Sequence, residues 1–145
     1  INKGKISNFY YDLQTAGLSS TSSTGHGERS LGSLPSPSTS VILVDQGESK
    51  LEEMISGIKE GLIVEHLLGA GQGNALGGDF NANVLLGYKI ENGTVVGRVK
   101  DTMVSGNVYK VLNQLISVGN DGRWIGGSLY SPSILCDNVS VASKA

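Results

Sequence analysis

Residues 61–93 read GLIVEHLLGAGQGNALGGDFNANVLLGYKIENG. An apolar run at 61–68 is followed by a glycine-dense stretch, a second apolar run at 79–91 and the pair Asn92-Gly93. Asn-Gly between two apolar runs is the strongest short-range signal for a β-hairpin, because both turn positions need positive φ. The stretch therefore predicts two strands before this turn and a third strand after it.

Two further stretches have the apolar spacing of amphipathic helices. In the first, apolar residues recur at helical spacing over residues 51–62. Ser49 and Glu52 have the spacing of a capping box, and Gly61 is a plausible C-terminal stop. The second helix is expected to begin near Asn107, where apolar residues follow at i, i+3, i+4, i+7 and i+8.

The remaining apolar runs predict short strands, with a buried one at 41–44 and a closing one at 133–141. Residues 5–13 and 94–104 are also expected to be strands. Strands joined by hairpins then outnumber strand-helix-strand units. The expected fold class is therefore α+β, a mainly antiparallel β-sheet with two amphipathic helices.

Length and composition predict one domain, residues 1–145. The 21 glycines are about twice the usual share of ~7% and suit a fold rich in turns. Residues 17–40 are rich in Ser, Gly and Pro, which indicates either a mobile loop or a lid or partner-docking segment. Because the chain begins at Ile1 and not at Met, we expect it to be a fragment of a longer protein.

Charge and cysteine content exclude several classes of function. The net charge is −2 and no two basic residues are adjacent, so nothing favours binding to nucleic acid. No apolar run approaches the ~18–20 residues of a membrane span, and no signal peptide is recognisable. The single cysteine, Cys136, cannot form an intrachain disulfide, which fits a cytoplasmic protein.

No catalytic or metal-binding residues are predicted within this chain. A zincin helix needs two histidines one turn apart, whereas His26 and His66 are far apart and neither has a second histidine nearby. We expect His66 to be a partly exposed strand residue. Cys136 is expected to be a small buried apolar residue within a strand.

The glycine cluster after residue 68 does not fit a nucleotide-binding loop, because Leu76 stands where a dinucleotide motif needs glycine. It predicts a sharp turn whose uncovered backbone a polypeptide can approach. Asp79 is most simply a capping or turn residue. The candidate peptide-contact residues are Gly69, Gly71, Gly73, Asn74, Asp79 and Phe80.

Short motifs over most of the chain occur in the order and spacing of one known family. They are Phe9-Tyr10-Tyr11-Asp12, residues 23–29 and 61–64, Gly69 and Gly71, Gly78-Asp79-Phe80, residues 87–93, Ser105-Gly106-Asn107, Gly119-Asn120-Asp121 and Pro132-Ser133-Ile134-Leu135. The series resembles the C-terminal domain of the TldD/PmbA family, also called modulators of DNA gyrase and described as metallopeptidases. The chain departs from the family pattern at Glu65-His66 and at Asn81-Ala82-Asn83.

The resemblance implies one of two subunit types. TldD-type chains carry a zinc helix with the pattern His-Glu-x-x-x-His, which is absent from these 145 residues, whereas PmbA-type (TldE) chains lack the metal ligands. Residues 119–133 and the position of Cys136 resemble the PmbA type. The resemblance then implies zinc in a TldD-type partner or an upstream domain, and an unfolded peptide bound as an added strand.

Two alternatives stay open. In the first, the chain is a trimmed domain of a catalytic TldD-type zinc metallopeptidase. In the second, it is a homodimeric peptide-binding module without protease activity. Independently of these alternatives, His26, Arg29 and Trp124 are the candidate interface residues. Expected partners are a TldD-type subunit or a second copy, and the expected process is proteolysis with peptide maturation.

Overall fold

The computed structural model describes residues 5–144, which contain three short helices and twelve strands. The helices are α1 (Leu13–Leu18), α2 (Leu51–Ser56) and α3 (Val108–Asn113). The strands are β1 (Gly27–Glu28), β2 (Ser36–Pro37), β3 (Ile42–Leu43), β4 (Glu60–Leu68), β5 (Asp79–Glu91), β6 (Thr94–Arg98), β7 (Thr102–Asn107), β8 (Leu115–Val118), β9 (Arg123–Ile125), β10 (Leu129–Ser131), β11 (Ile134–Cys136) and β12 (Ser140–Ser143). Most strand pairs are antiparallel, which confirms the predicted α+β class.

The chain forms two compact units. The first unit comprises the residues up to Leu43 together with Ile125–Tyr130, and the second comprises Val44–Trp124 with the residues from Ser131 onward. The larger second unit contains the stretch quoted above.

In the first unit, the predicted strand at 5–13 is wrong. Residues 6–12 have no regular secondary structure, and Asp12 begins α1 as its N-cap. The Asp12 carboxylate accepts hydrogen bonds from the Thr15 amide and hydroxyl, both at 2.7 Å, and Thr15 accepts from the Asp12 amide. This reciprocal cap satisfies amides that an extended chain would leave to water, so local polar contacts outweigh the strand propensity of the preceding aromatic residues.

Residues 17–40 contain more structure than their composition suggested. Strands β1 and β2 pair antiparallel, with Gly27 opposite Pro37 and Glu28 opposite Ser36. Nearby, β3 was expected to be buried, but Ile42 and Leu43 are 51% and 64% exposed and pair in parallel with β10.

The second unit is built on a five-stranded sheet in which the long strand β5 is central. β4 pairs with β5 along one edge, while β6 and β7 share its other edge, and β12 lies outside β7. The predicted hairpin at Asn92-Gly93 is confirmed, with φ values of 47° and 76°. The strand expected at 94–104 is divided into β6 and β7 by a turn at Asp101, whose φ is 48°.

One face of this sheet carries the core of the second unit. Ala82, Val84 and Val104 form its buried centre. Because side chains of a strand alternate between faces, these residues of β5 and β7 point to the same side of the sheet. The partly buried residues packed against them are Leu62, Leu67, Phe80, Val99 and Val139.

Both predicted helices exist but are shorter than expected. α2 begins one residue later than the predicted capping box, because Glu53, not Glu52, accepts the hydrogen bond from the N-cap amide of Lys50. Its C-cap is Gly57, so the stop predicted at Gly61 is wrong. α3 begins after Asn107 as predicted but ends at Asn113, and the following apolar residues form β8.

The closing strand predicted at 133–141 is two strands with different partners. β11 pairs with β8, and β12 pairs with β7. Asn138, at a φ of 59°, breaks the run between them.

A carboxylate joins the turn after β8 to the start of β11. Asp121 accepts hydrogen bonds from the Ser133 amide at 2.9 Å and from the Ser133 hydroxyl at 2.6 Å. The hydroxyl of Ser133, followed by its amide, lowers the pKa of Asp121 below the ordinary value of 3.8. The ionised carboxylate therefore stabilises this connection.

We expect this contact to make stability depend on pH. Because the pKa of Asp121 is lower in the folded state, its contribution is present above about pH 4 and is lost as the pH falls through the folded pKa. Asp121→Asn should lower the free energy of unfolding at pH 7 and weaken the decline of this free energy as the pH falls below about 4, measured by urea unfolding. Asp45→Asn, at an exposed position of the same unit, is the control. An unchanged pH profile in Asp121→Asn would contradict this assignment.

Candidate functional site

Strand β4 is an edge of the five-stranded sheet. Within residues 5–144, β4 pairs only with β5, in a register that runs from Glu60 opposite Glu91 to Leu68 opposite Asn83. Its outer edge therefore presents main-chain N–H and C=O groups that no strand among the described residues takes up. Such an edge is a template for pairing with another chain.

A β-bulge interrupts β4 near its middle. The register shifts between Val64 and His66, so Glu65 has no opposite residue on β5. The Glu65 carboxylate instead lies 2.8 Å from the guanidinium of Arg123. The bulge leaves Glu60–Val64 as the longest uninterrupted part of the edge.

The loop between β4 and β5 is held in shape by two glycine bends and by hydrogen bonds within the loop. It begins at Gly69 with a φ of 88° and ends at Gly78 with a φ of 79°, both in the region that favours glycine. Hydrogen bonds run from the Gln72 amide to the Gly69 carbonyl and from the Gly77 amide to the Asn74 side chain, each at 3.0 Å.

Asn107 fixes the C-terminal end of this loop to the start of α3. Its side-chain amide donates to the Gly77 carbonyl at 2.7 Å and to the Asp79 carboxylate at 2.8 Å. Its side-chain oxygen accepts from the amides of Tyr109 and Lys110 and so caps α3. One side chain therefore joins the glycine loop, β5 and the helix.

An apolar groove lies along the face of the sheet that carries the core. Its volume is about 860 Å³, within the range of ligand sites in proteins. Leu62, Val64 and Leu67 of β4 form part of its wall. The other walls come from α2, β5, α3, β7, β8, β11, β12 and the segments beside them.

The structure separates the predicted peptide-contact residues into two groups. Gly71, Gly73 and Asn74 are exposed in the loop next to β4. Asp79 and Phe80 serve the protein's own structure: Asp79 accepts the hydrogen bond from Asn107, and Phe80 packs against the core and lines the groove. Gly69, only partly exposed, forms the loop's first bend.

Asn107 is the residue whose importance the sequence did not reveal. Its place after a strand and before apolar helical spacing predicted a helix start, but Gly77 and Asp79, which its side chain contacts, lie 30 and 28 residues away along the chain. The ion pair between Glu65 and Arg123 is equally non-local. Neither contact leaves a local signal in the sequence.

The candidate interface residues are distributed over both units. His26 and Arg29 are exposed in the first unit, where the His26 ring lies against the Tyr10 ring with centroids 5.6 Å apart. Trp124 belongs to the second unit and is 57% exposed. Their role at an interface stays a prediction.

The described residues do not fit a metal centre. Among residues 5–144, no group of three or more His, Cys, Asp or Glu side chains comes close enough to hold a metal ion. His66 is exposed on β4, and Cys136 is half-buried on β11. Burial, followed by the nearby carboxylate of Asp137, raises the pKa of the Cys136 thiol, which disfavours the thiolate form that metals bind.

The match to a known family extends over nearly the whole chain. Residues 1–143 match the family described as PmbA/TldA metallopeptidase C-terminal domain. The chain belongs to this family. The resemblance found in the short motifs is therefore confirmed.

Individual relatives of this family member agree in sequence and in fold. A metalloprotease TldD homolog of Buchnera aphidicola is 30% identical over 122 residues, covering 83% of this chain and 25% of its relative. The metalloprotease PmbA of Escherichia coli O157:H7 is 30% identical over 102 residues, covering 70% and 22%. The crystal structure of TldE from Thermococcus kodakarensis is similar with a TM-score of 0.84 and 29% identity, covering 94% of this chain and 31% of that one.

The matched region is the smaller part of these relatives. The aligned part of the chain covers between 17% and 32% of the length of the curated relatives it matches. None of the three six-residue helices within residues 5–144 has the length and hydrophobicity needed to span a bilayer.

Proposed function

We propose that this chain is the peptide-docking domain of a PmbA/TldE-like subunit in a cytoplasmic metallopeptidase complex. In this proposal an unfolded peptide pairs with the outer edge of β4, while zinc is held by a TldD-type partner or by an upstream domain. The domain contributes scaffold and binding surface, and the complex serves proteolysis and peptide maturation.

The proposal is supported by the outer edge of β4, with which no strand among residues 5–144 pairs. Main-chain hydrogen bonds to an added strand recognise any extended peptide, because all peptides share the same backbone. Glu60–Val64 offers a continuous edge of five residues. Family membership supplies the peptidase context.

The pairing is tested with peptides that are N-methylated at alternate residues. In an added β-strand, every second amide donates to the neighbouring strand and the others point away. We expect methylation of one alternate set to weaken binding about tenfold or more, and methylation of the other set to leave the dissociation constant within about twofold. Fluorescence anisotropy with labelled peptides measures both.

Equal effects of the two methylation sets would contradict strand pairing. Val95→Pro in β6 tests whether damage elsewhere in the sheet affects peptide binding, because β6 belongs to the same sheet but does not border β4. It should leave peptide affinity unchanged provided that circular dichroism shows an intact fold.

The catalytic TldD type is the second candidate, because several relatives are named metalloprotease TldD homologs. Peptide hydrolysis distinguishes the two. In the first case the full protein hydrolyses peptides only when mixed with a zinc-bearing TldD-type subunit. In the second case it does so alone.

A further inference from the structure

We propose that the apolar groove beside β4 is a side-chain site that selects extended peptides with alternating apolar residues and a flanking lysine or arginine. The inference rests on the proposed docking at β4 and adds a sequence preference to it. Pairing between main-chain groups alone gives no preference for particular peptide sequences.

The position of the groove relative to the strand edge is the first support. Leu62 and Val64 belong to the uninterrupted part of the edge and line the groove. Because side chains alternate between the two faces of a sheet, every second side chain of a strand added beside β4 points to the groove side. The opposite set points to the other face.

The lining of the groove is the second support. Most of the side chains that line it are apolar, and several of these are solvent-exposed in the described chain: Val64 is 41% exposed, Ile116 is 62% exposed and Val141 is 52% exposed. Covering such side chains with apolar groups is favourable by roughly 25 cal/mol per Å². The volume of about 860 Å³ accommodates more than one side chain of a bound peptide.

The charges at the rim are the third support and decide the class of the occupant. Three carboxylates, those of Glu53, Glu60 and Asp137, line the groove against one ammonium group, Lys59. All four residues are exposed. Glu60 lies 4.0 Å from Lys89 and is partly compensated, which leaves Glu53 and Asp137 as the carboxylates that favour a basic flank.

The test compares three peptides of equal length in binding to the protein. The first alternates Leu with Thr between two lysines, the second has Ser in place of Leu, and the third has glutamates in place of the lysines. We expect the first to bind about tenfold more tightly than either of the others. The advantage over the glutamate peptide should shrink when the salt concentration rises from about 0.05 to 0.5 M, because exposed charges are screened.

Two matched pairs of variants locate these effects. Ile116→Asp should weaken binding of the Leu peptide about tenfold and leave binding of the Ser peptide unchanged. Val96→Asp, at a similarly exposed residue outside the groove, should change the affinity for neither peptide. Glu53→Gln combined with Asp137→Asn should reduce the preference for lysine flanks. Glu52 is next to Glu53 on α2 but does not line the groove, so Glu52→Gln should leave this preference unchanged.

Each outcome bears on the inference. If the Leu and Ser peptides bind equally but alternate N-methylation still matters, the groove is not a side-chain site and docking at β4 stands. If no peptide binds, both proposals fail. If Ile116→Asp changes the oligomeric state in sedimentation velocity without changing peptide affinity, the groove is an interface between copies and the inference is overturned.

Discussion

Replacing Gly93 with valine should lower the free energy of unfolding by about 3 kcal/mol. Gly93 has a φ of 76°, where a β-branched residue is strained. A Cβ atom added there would lie 2.7 Å from the carbonyl oxygen of Ser56, at the end of α2. The backbone at Ser56 or at Gly93 must therefore move. Such a movement is opposed by the hydrogen bond that the Gly93 amide donates to the Ile58 carbonyl at 2.8 Å.

Gly97→Val is the matched control for this variant. Gly97 lies in β6, four residues further on, and an added Cβ atom would meet nothing within 4 Å. Valine is favourable in strands, so this variant should be as stable as the wild type or slightly more stable. Urea unfolding measures both, and equal losses would show that the turn at Asn92-Gly93 does not constrain the hairpin.

Asn107→Ala should have the second largest effect and lower the free energy of unfolding by about 2–3 kcal/mol. Loss of an N-cap costs ~1 kcal/mol, and each of the two lost hydrogen bonds to Gly77 and Asp79 costs ~0.5–1 kcal/mol because both are solvent-exposed. The glycine loop should also open more often, since the contacts with Gly77 and Asp79 are lost. Hydrogen exchange of the amides at residues 69–78 reports this opening directly.

Two further variants divide the roles of Asn107. Asn107→Asp keeps an oxygen that accepts from the amides of Tyr109 and Lys110, but it removes the donor and places a second carboxylate beside Asp79. We expect α3 to persist while the loop exchanges faster. Asn113→Ala, at the exposed end of the same helix, should change neither property. Slow loop exchange in Asn107→Asp would show that the cap alone holds the loop.

The sequence predicted those parts of the fold that local signals determine. The hairpin at Asn92-Gly93 was correct because positive φ at both turn positions is a property of the two residues themselves. The start of α3 was correct because Asn107 caps it locally. The strands on either side of the glycine loop were correct because their apolar runs are long and bounded.

Errors occurred where distant residues decide the structure. The apolar residues after Asn113 keep helical spacing, but they form β8. They pair with β11 and so do not continue the helix. Likewise, 133–141 reads as one strand, but its two halves pair with β8 and β7. The site followed the same rule: the glycine-rich loop was visible in sequence, whereas its attachment through Asn107 and the groove beside β4 required the tertiary structure.

The bulge at Glu65 has a consequence for solubility. An uninterrupted nine-residue edge would allow copies of the protein to join edge to edge and nucleate aggregates. The local irregularity leaves Glu65 without an opposite residue on β5 and places a charge pair, Glu65 with Arg123, beside the strand. We expect this to hinder self-assembly into fibrils and to leave room for the single short strand of the proposed peptide.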